Sequence, residues 1–385
     1  MDYRAIERPA VAEASRVVLK VGTRVLTQSD GRLALTRLYA LVEAIAELRE
    51  RGREVLLVSS GAVGLGRDAL GLSSTPAELA TRQACAAVGQ SRLMELYSDG
   101  LDRLGLVAAQ VLLTEDDFDN RDRYLNLGQT LHALLKHGAI PVINENDAIS
   151  TVELAMRAHR GRSVFGDNDR LSALVASELD CDLLVLLTDV DGVFERDPRS
   201  DPDAKLIACV DDLDGGIAEL TGAGSDAGRG GMRSKFEAAQ IAARFGCHAV
   251  IASGTRLGAL GRVIRGESEG TWFPARGSMK ARHRWIAFAS RVRGVVHVDH
   301  GAVDAVVNRN ASLLAAGVTG IEGRFVRGDV VEVRDPDGGL VARGLIRVDA
   351  EHYRQWRRGV SEEDLQSHSA VVRSNQLVVM KEFDG

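Results

Sequence analysis

The sequence predicts an α/β fold, a mostly parallel open sheet sandwiched by helices, followed by a small, mostly β C-terminal domain. Three observations carry that expectation. Short apolar runs rich in Val, Leu and Ile alternate with longer segments of helical composition through roughly the first 275 residues, the pattern of a parallel sheet covered on both faces. Beyond about residue 275 the helical runs vanish and short β-rich pieces appear, broken by glycine and turn residues. The chain's 385 residues also leave room for roughly two or three domains of about 150 residues.

In chain order, the expected strands are Val17–Val21, Val55–Ser59, Val107–Leu113, Ile140–Asn144, Leu183–Thr188 and Ala249–Ser253. Between them lie the expected helices Leu35–Arg51, Thr81–Leu104, Arg123–His137, Asp169–Leu179 and Ser234–Phe245. Gly52, Gly138 and Gly246 stand where a left-handed cap would stop a helix. In the C-terminal part, Val295–Asp299, Asp329–Arg334 and Leu340–Val348 read as strands, and the Asp335-Pro336-Asp337-Gly338-Gly339 string is a hairpin signal. The boundary falls in Pro274–Lys280, giving a first domain over 1–275 and a second over 281–375.

Composition narrows the function classes. Hydrophobic residues make up 45% and charged residues 26% of the chain, and no stretch approaches the ~18 consecutive apolar residues of a membrane span. Met1 to Arg16 mixes charges with Pro9 and lacks the continuous apolar segment of a secretory signal. Cys85, Cys181, Cys209 and Cys247 are widely separated, without metal-cage spacing, and read as thiols in a reducing compartment, so a cytoplasmic protein is expected. A net charge of −6 argues against a protein whose main task is to coat nucleic acid.

Ligands of open α/β sheets bind beyond the carboxyl ends of the strands, and here those ends are unusually polar. Lys20 lies inside the first run, where a buried ammonium needs an anion or acceptor; the alternative is a side chain reaching solvent along the sheet edge. Ser59-Ser60-Gly61-Ala62, with Gly64 and Gly66 following, is small enough to let backbone N–H groups approach an anion, although such turns are often only structural. Asn144-Glu145-Asn146-Asp147 exceeds what a helix cap requires, as does Asp167-Asn168-Asp169, whose carboxylates the helix dipole would keep ionised for an ammonium, a lysine or hydrated magnesium. Leu183–Asp189 leads into Val190-Asp191-Gly192-Val193-Phe194. Gly228-Arg229-Gly230-Gly231-Met232-Arg233-Ser234-Lys235 opens a helix and resembles a phosphate cradle without P-loop spacing. Together these ends point to phosphoryl transfer, with Lys20 and Lys235 supplying positive charge. No Ser-His-acid constellation or strand-following GxGxxG competes.

Val18-Leu19-Lys20-Val21-Gly22-Thr23, Ser59-Ser60-Gly61-Ala62, Pro141 to Asp147, Gly166-Asp167-Asn168-Asp169, Leu187-Thr188-Asp189 and Gly230-Gly231-Met232-Arg233-Ser234-Lys235 resemble the glutamate 5-kinases of the amino acid kinase superfamily, nearly along the whole chain. Arg284-Trp285-Ile286 and Gly323 to Val331 resemble the PUA domain that bacterial members often carry. The resemblance implies magnesium-dependent transfer of the ATP γ-phosphoryl group to L-glutamate, as the first step of proline biosynthesis, with proline as a feedback inhibitor at or near the glutamate site. It also implies a homo-oligomer, a dimer or tetramer built through the kinase domain. By the same resemblance, Lys20 and Lys235 stabilise the migrating group and Asp169 orients the lysines or magnesium. Ser60, Asn144, Asp147, Asp167 and Asn168 bind glutamate. Lys20, Thr188, Asp189, Arg229, Gly230, Gly231, Met232, Arg233, Ser234 and Lys235 bind ATP, and no direct metal ligand is assigned.

Arg24 stands where a small residue is usual, Arg229 replaces a common Thr, and Val152–Val164 is longer and more basic than the family pattern; it reads as a loop, either a lid or a plain surface insertion. A related kinase acting on acetylglutamate, aspartate or a nucleotide is the nearest alternative. RNA binding is a second, resting on Arg276, Lys280, Arg282, Arg284, Arg291 and Arg293, which occur without an intervening acid; a solvated linker is the plainer reading of that run.

Overall fold

The computed structural model describes residues 6–28, 32–74, 76–149, 168–198, 200–213, 226–277, 281–359 and 370–380. The chain divides into two compact units, Met1–Ser278 and Met279–Gly385.

The first unit is built from β1 (Arg16–Val21), α1 (Leu35–Glu50), β2 (Glu54–Ser59), α2 (Ala62–Ala69), α3 (Leu79–Asp102), β3 (Ala108–Leu113), α4 (Arg121–Lys136), β4 (Ile140–Glu145), α5 (Asn168–Glu178), β5 (Leu183–Thr188), α6 (Asp226–Arg244), β6 (His248–Ser253) and β7 (Thr271–Phe273). Its seven-stranded sheet runs β3-β4-β2-β1-β5-β6-β7. Pairing is parallel except at β7, a short antiparallel edge beside β6 that lies outside the expected strands. β5 is buried at every position, and β1 and β2 at all but the first, because helices cover both faces, which favours apolar side chains there. The outermost strand β3 is mostly half-buried.

Helix ends follow local chemistry. Asn120 caps α4 by accepting from the backbone N–H groups of Asp122 and Arg123 at 3.0 and 3.1 Å. The three expected stops adopt positive φ, 74° at Gly52, 77° at Gly138 and 89° at Gly246. In α1 the residues Leu38, Leu41, Val42, Ile45 and Leu48 turn one apolar stripe inward onto the sheet.

The crossing of α2 on α3 is unusually close. A Cβ added at Gly89 would stand 1.7 Å from the Ala62 carbonyl oxygen, and one at Gly66 would stand 1.8 Å from that of Cys85. Backbone cannot yield as a side chain can, so Gly89→Ala is expected to cost at least about 3 kcal/mol, the upper end of overpacking penalties. Urea denaturation measures this, and an unchanged midpoint would contradict the packing.

The second unit holds β8 (Val292–Val298), α7 (His300–Arg309), β9 (Leu313–Leu314), β10 (Val318–Gly323), β11 (Val330–Arg334), β12 (Leu340–Leu345), α8 (Ala350–Gly359), β13 (Ala370–Val372) and β14 (Leu377–Val379). A five-stranded sheet in the order β10-β8-β11-β12-β14 stands beside the β13-β9 pair. Its core includes Val296, Val298, Phe325, Val331, Val333, Val341 and Tyr353. The hairpin signal holds: the Asp335 carboxylate accepts from the N–H groups of Asp337 and Gly339 at 3.1 and 2.7 Å in the turn between β11 and β12.

Helices do not vanish beyond residue 275, however. α7, capped by the Asp299 carboxylate on Ala302 N–H at 2.7 Å, carries small and polar residues around a few valines, and α8 is strongly polar. Neither shows the apolar density by which the earlier helices announce themselves, because each turns only a few side chains into the small core, among them Val306 from α7 and Ala350 and Tyr353 from α8. The basic run is not a continuous exposed surface either. Arg284 is 5% exposed, and Lys280 lies outside the described residues. No helix among the described residues is long and apolar enough to cross a membrane.

Candidate active site

Parallel pairing brings the carboxyl ends of β1, β2, β4 and β5 to one edge of the sheet. Register makes the alignment explicit: Lys20 pairs with Val58 of β2 and Leu186 of β5, and Val58 pairs with Ile143 of β4. Ser60, Asn144 and Thr188 therefore emerge beside Lys20 even though their positions span most of the first unit. Backbone bonds continue past the strands, from Ser60 N–H to the Val21 carbonyl at 3.0 Å and from Gly22 N–H to the Leu187 carbonyl at 3.3 Å.

Lys20 does not reach solvent along an edge. β1 is an interior strand, Lys20 is 2% exposed, and its Nζ lies 2.6 Å from Asp169 Oδ1. Lys235, from α6, places its Nζ 3.1 Å from Asp169 Oδ2 and donates to the Gly231 carbonyl at 3.0 Å. Asp169 has no exposed surface. Ser234 Oγ donates to Asp169 Oδ2 at 2.7 Å, while Ser172 Oγ donates to the Asp169 carbonyl at 2.6 Å. Two ammonium groups share one carboxylate, so the three groups sum to one positive charge at the mouth of the sheet, which an anion would neutralise. Two fixed ammonium groups of this kind can hold and screen an anion such as phosphate.

Beside this cluster runs a relay of amides. Asn168 Nδ2 donates to Ser60 Oγ and to Asn144 Oδ1, both at 2.9 Å, and Asn144 Nδ2 donates to Gln90 Oε1 at 2.9 Å. Gln90, on α3, is absent from the residues expected from sequence. The available signal was a polar side chain one residue past Gly89, among the buried positions Cys85, Ala86, Gly89, Leu93 and Tyr97. Asp147 is half-buried in the turn following β4. Asp167 lies outside the described residues, as does the 152–164 stretch.

On the other side of Lys20, Thr188 ends β5 and its Oγ1 donates to Asp189 Oδ1 at 3.2 Å. Arg24 Nη1 reaches Asp189 Oδ2 at 3.0 Å. Half-burial alone would raise the Asp189 carboxyl, but hydrogen bonds and the Arg24 charge outweigh it and hold the group below the usual carboxylate range. The glycine-rich segment opens a helix as expected, but the helix starts earlier than Ser234: Gly228 to Lys235 lie in the opening turns of α6. Arg229 and Gly230 belong to those turns, and the Arg229 side chain lies outside the described part. Gly231 is exposed, Met232 half-buried, and Arg233 is turned to Glu237 at 2.9 Å. Ser234, expected at the nucleotide, donates its hydroxyl to Asp169.

Comparison with known proteins converges on one group. The amino acid kinase family model matches residues 15–253, and the PUA domain model matches residues 294–364. A glutamate 5-kinase of Trichlorobacter lovleyi is 46% identical over 342 residues, covering 88% of this chain and 89% of that protein. One of Caldanaerobacter subterraneus is 41% identical over 374 residues, covering 95% and 98%, and one of Myxococcus xanthus is 46% identical over 350 residues, covering 90% of each.

Proposed function

The chain belongs to the glutamate 5-kinase family of amino acid kinases, with a C-terminal PUA domain, and on that premise we propose that Lys20, Lys235 and Asp169 form its phosphoryl-transfer centre. Its activity is the ATP-dependent phosphorylation of the glutamate side-chain carboxylate, the first step of proline biosynthesis. In this reading Ser60, Asn144, Asp147, Asp167 and Asn168 hold the amino acid. Thr188, Asp189 and residues 229–235 hold the nucleotide. The observation that carries the assignment is the convergence of two lysines, far apart in sequence, on one buried carboxylate.

The chemistry asks little else. The attacking carboxylate is already ionised at pH 7, so no general base is required. One of its oxygens forms a bond to the γ-phosphorus as the bond to the β-phosphate bridging oxygen breaks, giving the acyl phosphate and ADP without net proton transfer. The obstacle is repulsion between that anion and the triphosphate. Lys20 and Lys235 offset it while Asp169 holds both ammonium groups in place before substrate arrives.

Magnesium fits this site as part of the nucleotide complex. Asp169 is engaged by both lysines and Ser234, and no group of three metal-ligating His, Cys, Asp or Glu stands together among the described residues. Phosphate oxygens and retained waters would hold it, with few ligands from the protein. When bound, the ion neutralises phosphate charge.

Arg24 bears on the nucleotide through Asp189. Removing it takes a positive charge away from a carboxylate beside the phosphates, so Arg24→Ser is expected to raise the KM for ATP about three- to tenfold. Because Arg24 is largely exposed, the effect shrinks at high salt; a salt-independent KM for ATP would show that the pair plays no electrostatic part.

Proline carries the same carboxylate and ammonium as the substrate, so it is proposed to compete for the amino acid site. ADP release with ATP, magnesium and glutamate, repeated with acetylglutamate and aspartate as acceptors and with proline added, tests the whole reading. Release specific to glutamate, with proline raising the glutamate KM, is expected. Equal release with another acceptor would overturn the substrate assignment, and proline raising only the KM for ATP would overturn the shared site.

A further inference from the structure

Hydrogen-bond polarity around Asn144 is set by an atom that can only donate. The backbone N–H of Glu145 donates to Asn144 Oδ1 at 2.9 Å, which fixes that end of the amide as the acceptor and the other as the donor. The rest follows in order. Asn144 Nδ2 must face an acceptor, so Gln90 turns Oε1 toward it. Asn144 Oδ1 must face a donor, so Asn168 turns Nδ2 toward it and shares that group with Ser60 Oγ. One backbone amide thereby sets the orientation of three side chains on α3, β4 and α5.

What the relay leaves over is also determined. Gln90 Nε2 and Asn168 Oδ1 are buried and have no hydrogen-bond partner among the described residues. Ser60 Oγ accepts from Asn168 and keeps its own proton to donate. A buried polar group without a partner costs about 1–3 kcal/mol, and a bound ligand can relieve that cost. Two donors and one acceptor, fixed by one hydrogen-bonded relay, complement a molecule that presents a carboxylate and an ammonium group.

We propose that Gln90 is a specificity-determining residue of the amino acid site, its Nε2 donating to the α-carboxylate of glutamate. This rests on the reading that Asn144 and Asn168 hold the amino acid. The choice between the two carboxylates of glutamate follows from position. Asn168 adjoins Asp169, which gathers the lysines, so the reacting carboxylate belongs at that end. Gln90 stands two hydrogen bonds further along the relay, at the end that the α-carboxylate would occupy. Asn168 Oδ1, between them, accepts from the α-ammonium, so an N-acylated amino acid, which has lost that charge, is disfavoured.

The test uses Gln90→Glu in the full-length protein. The variant keeps an oxygen for Asn144 Nδ2 and replaces the free donor with an anion. Its expected effect is an increase of about a hundredfold in the glutamate KM, with the KM for ATP changed by less than about twofold. The decisive readout is selectivity between glutamate and its α-carboxamide, isoglutamine, which keeps the reacting carboxylate. The ratio of their kcat/KM values is expected to fall at least about tenfold in the variant, because a carboxamide is not repelled and can donate to the new carboxylate. Simple structural damage would lower both values together and leave the ratio unmoved. An unchanged ratio in a folded variant overturns the proposal. Should Gln90→Glu not fold, Gln90→Met removes the donor without adding charge and is expected to shift the ratio the same way by about threefold; no shift there is equally fatal. Asn168→Ala, measured in parallel, separates the premise from the inference. If it leaves the glutamate KM unchanged, the amino acid site has been misplaced; if it raises that KM while the Gln90 variants keep the ratio, only the role of Gln90 fails.

Discussion

Replacing Lys20 with alanine is expected to lower kcat about a thousandfold while changing the glutamate KM by no more than about threefold. The magnitude is that of removing a preorganised charge from a transition state in a site closed to water. The asymmetry follows from where the ammonium stands. Lys20 projects from an interior strand, 2% exposed, onto a carboxylate with no exposed surface, so it cannot follow a ligand outward and acts at one point. Charge that counts most as the phosphoryl group migrates shows in kcat, whereas uniform binding shows in KM. Lys235→Ala is expected to follow the same pattern, since Lys235 shares the other oxygen of Asp169. Steady-state ADP release across a glutamate titration measures both constants. Unchanged turnover in either variant would remove that lysine from the mechanism.

Asp169→Asn is expected to damage stability as well as turnover. The substitution keeps the side chain's size, so no cavity opens, but it removes the carboxylate with which two buried ammonium groups form ion pairs of 2.6 and 3.1 Å. Breaking a buried pair by removing one partner costs about 3–5 kcal/mol, and here one partner serves two. A fall of that size in unfolding free energy by urea titration is expected, with turnover falling along with it as the lysines lose their geometry. A distinguishing signature is rescue by polyanion. ATP supplies the missing negative charge, so saturating ATP is expected to raise the Tm of Asp169→Asn more than that of the unmodified protein. An equal or smaller rise would mean that the lysines do not face the phosphates.

These expectations set the limits of what could be read from the sequence. β1, β2, β4, β5 and β6 were legible because a strand buried on both faces must be continuously apolar, and five such runs separated by helical stretches leave few alternatives to a parallel sheet. Lys20 was conspicuous for the same reason, as a charge inside a run with no tolerance for one. β7 escaped because Thr271–Phe273 is too short for a period, and α7 and α8 because each gives few apolar residues to a small core.

Sequence by itself determined the family, the sheet, and the residue types gathered at its carboxyl edge, since local pattern and short strings record those directly. Only the tertiary structure decided what each group is bound to. That Asp169 serves two lysines, that Ser234 turns to Asp169, that Arg24 meets Asp189, and that Gln90 joins Asn144 all depend on residues between 54 and 165 positions apart. Hydrogen bonds and ion pairs are set by distance and direction in space, and a linear string holds neither until parallel pairing aligns the strand ends.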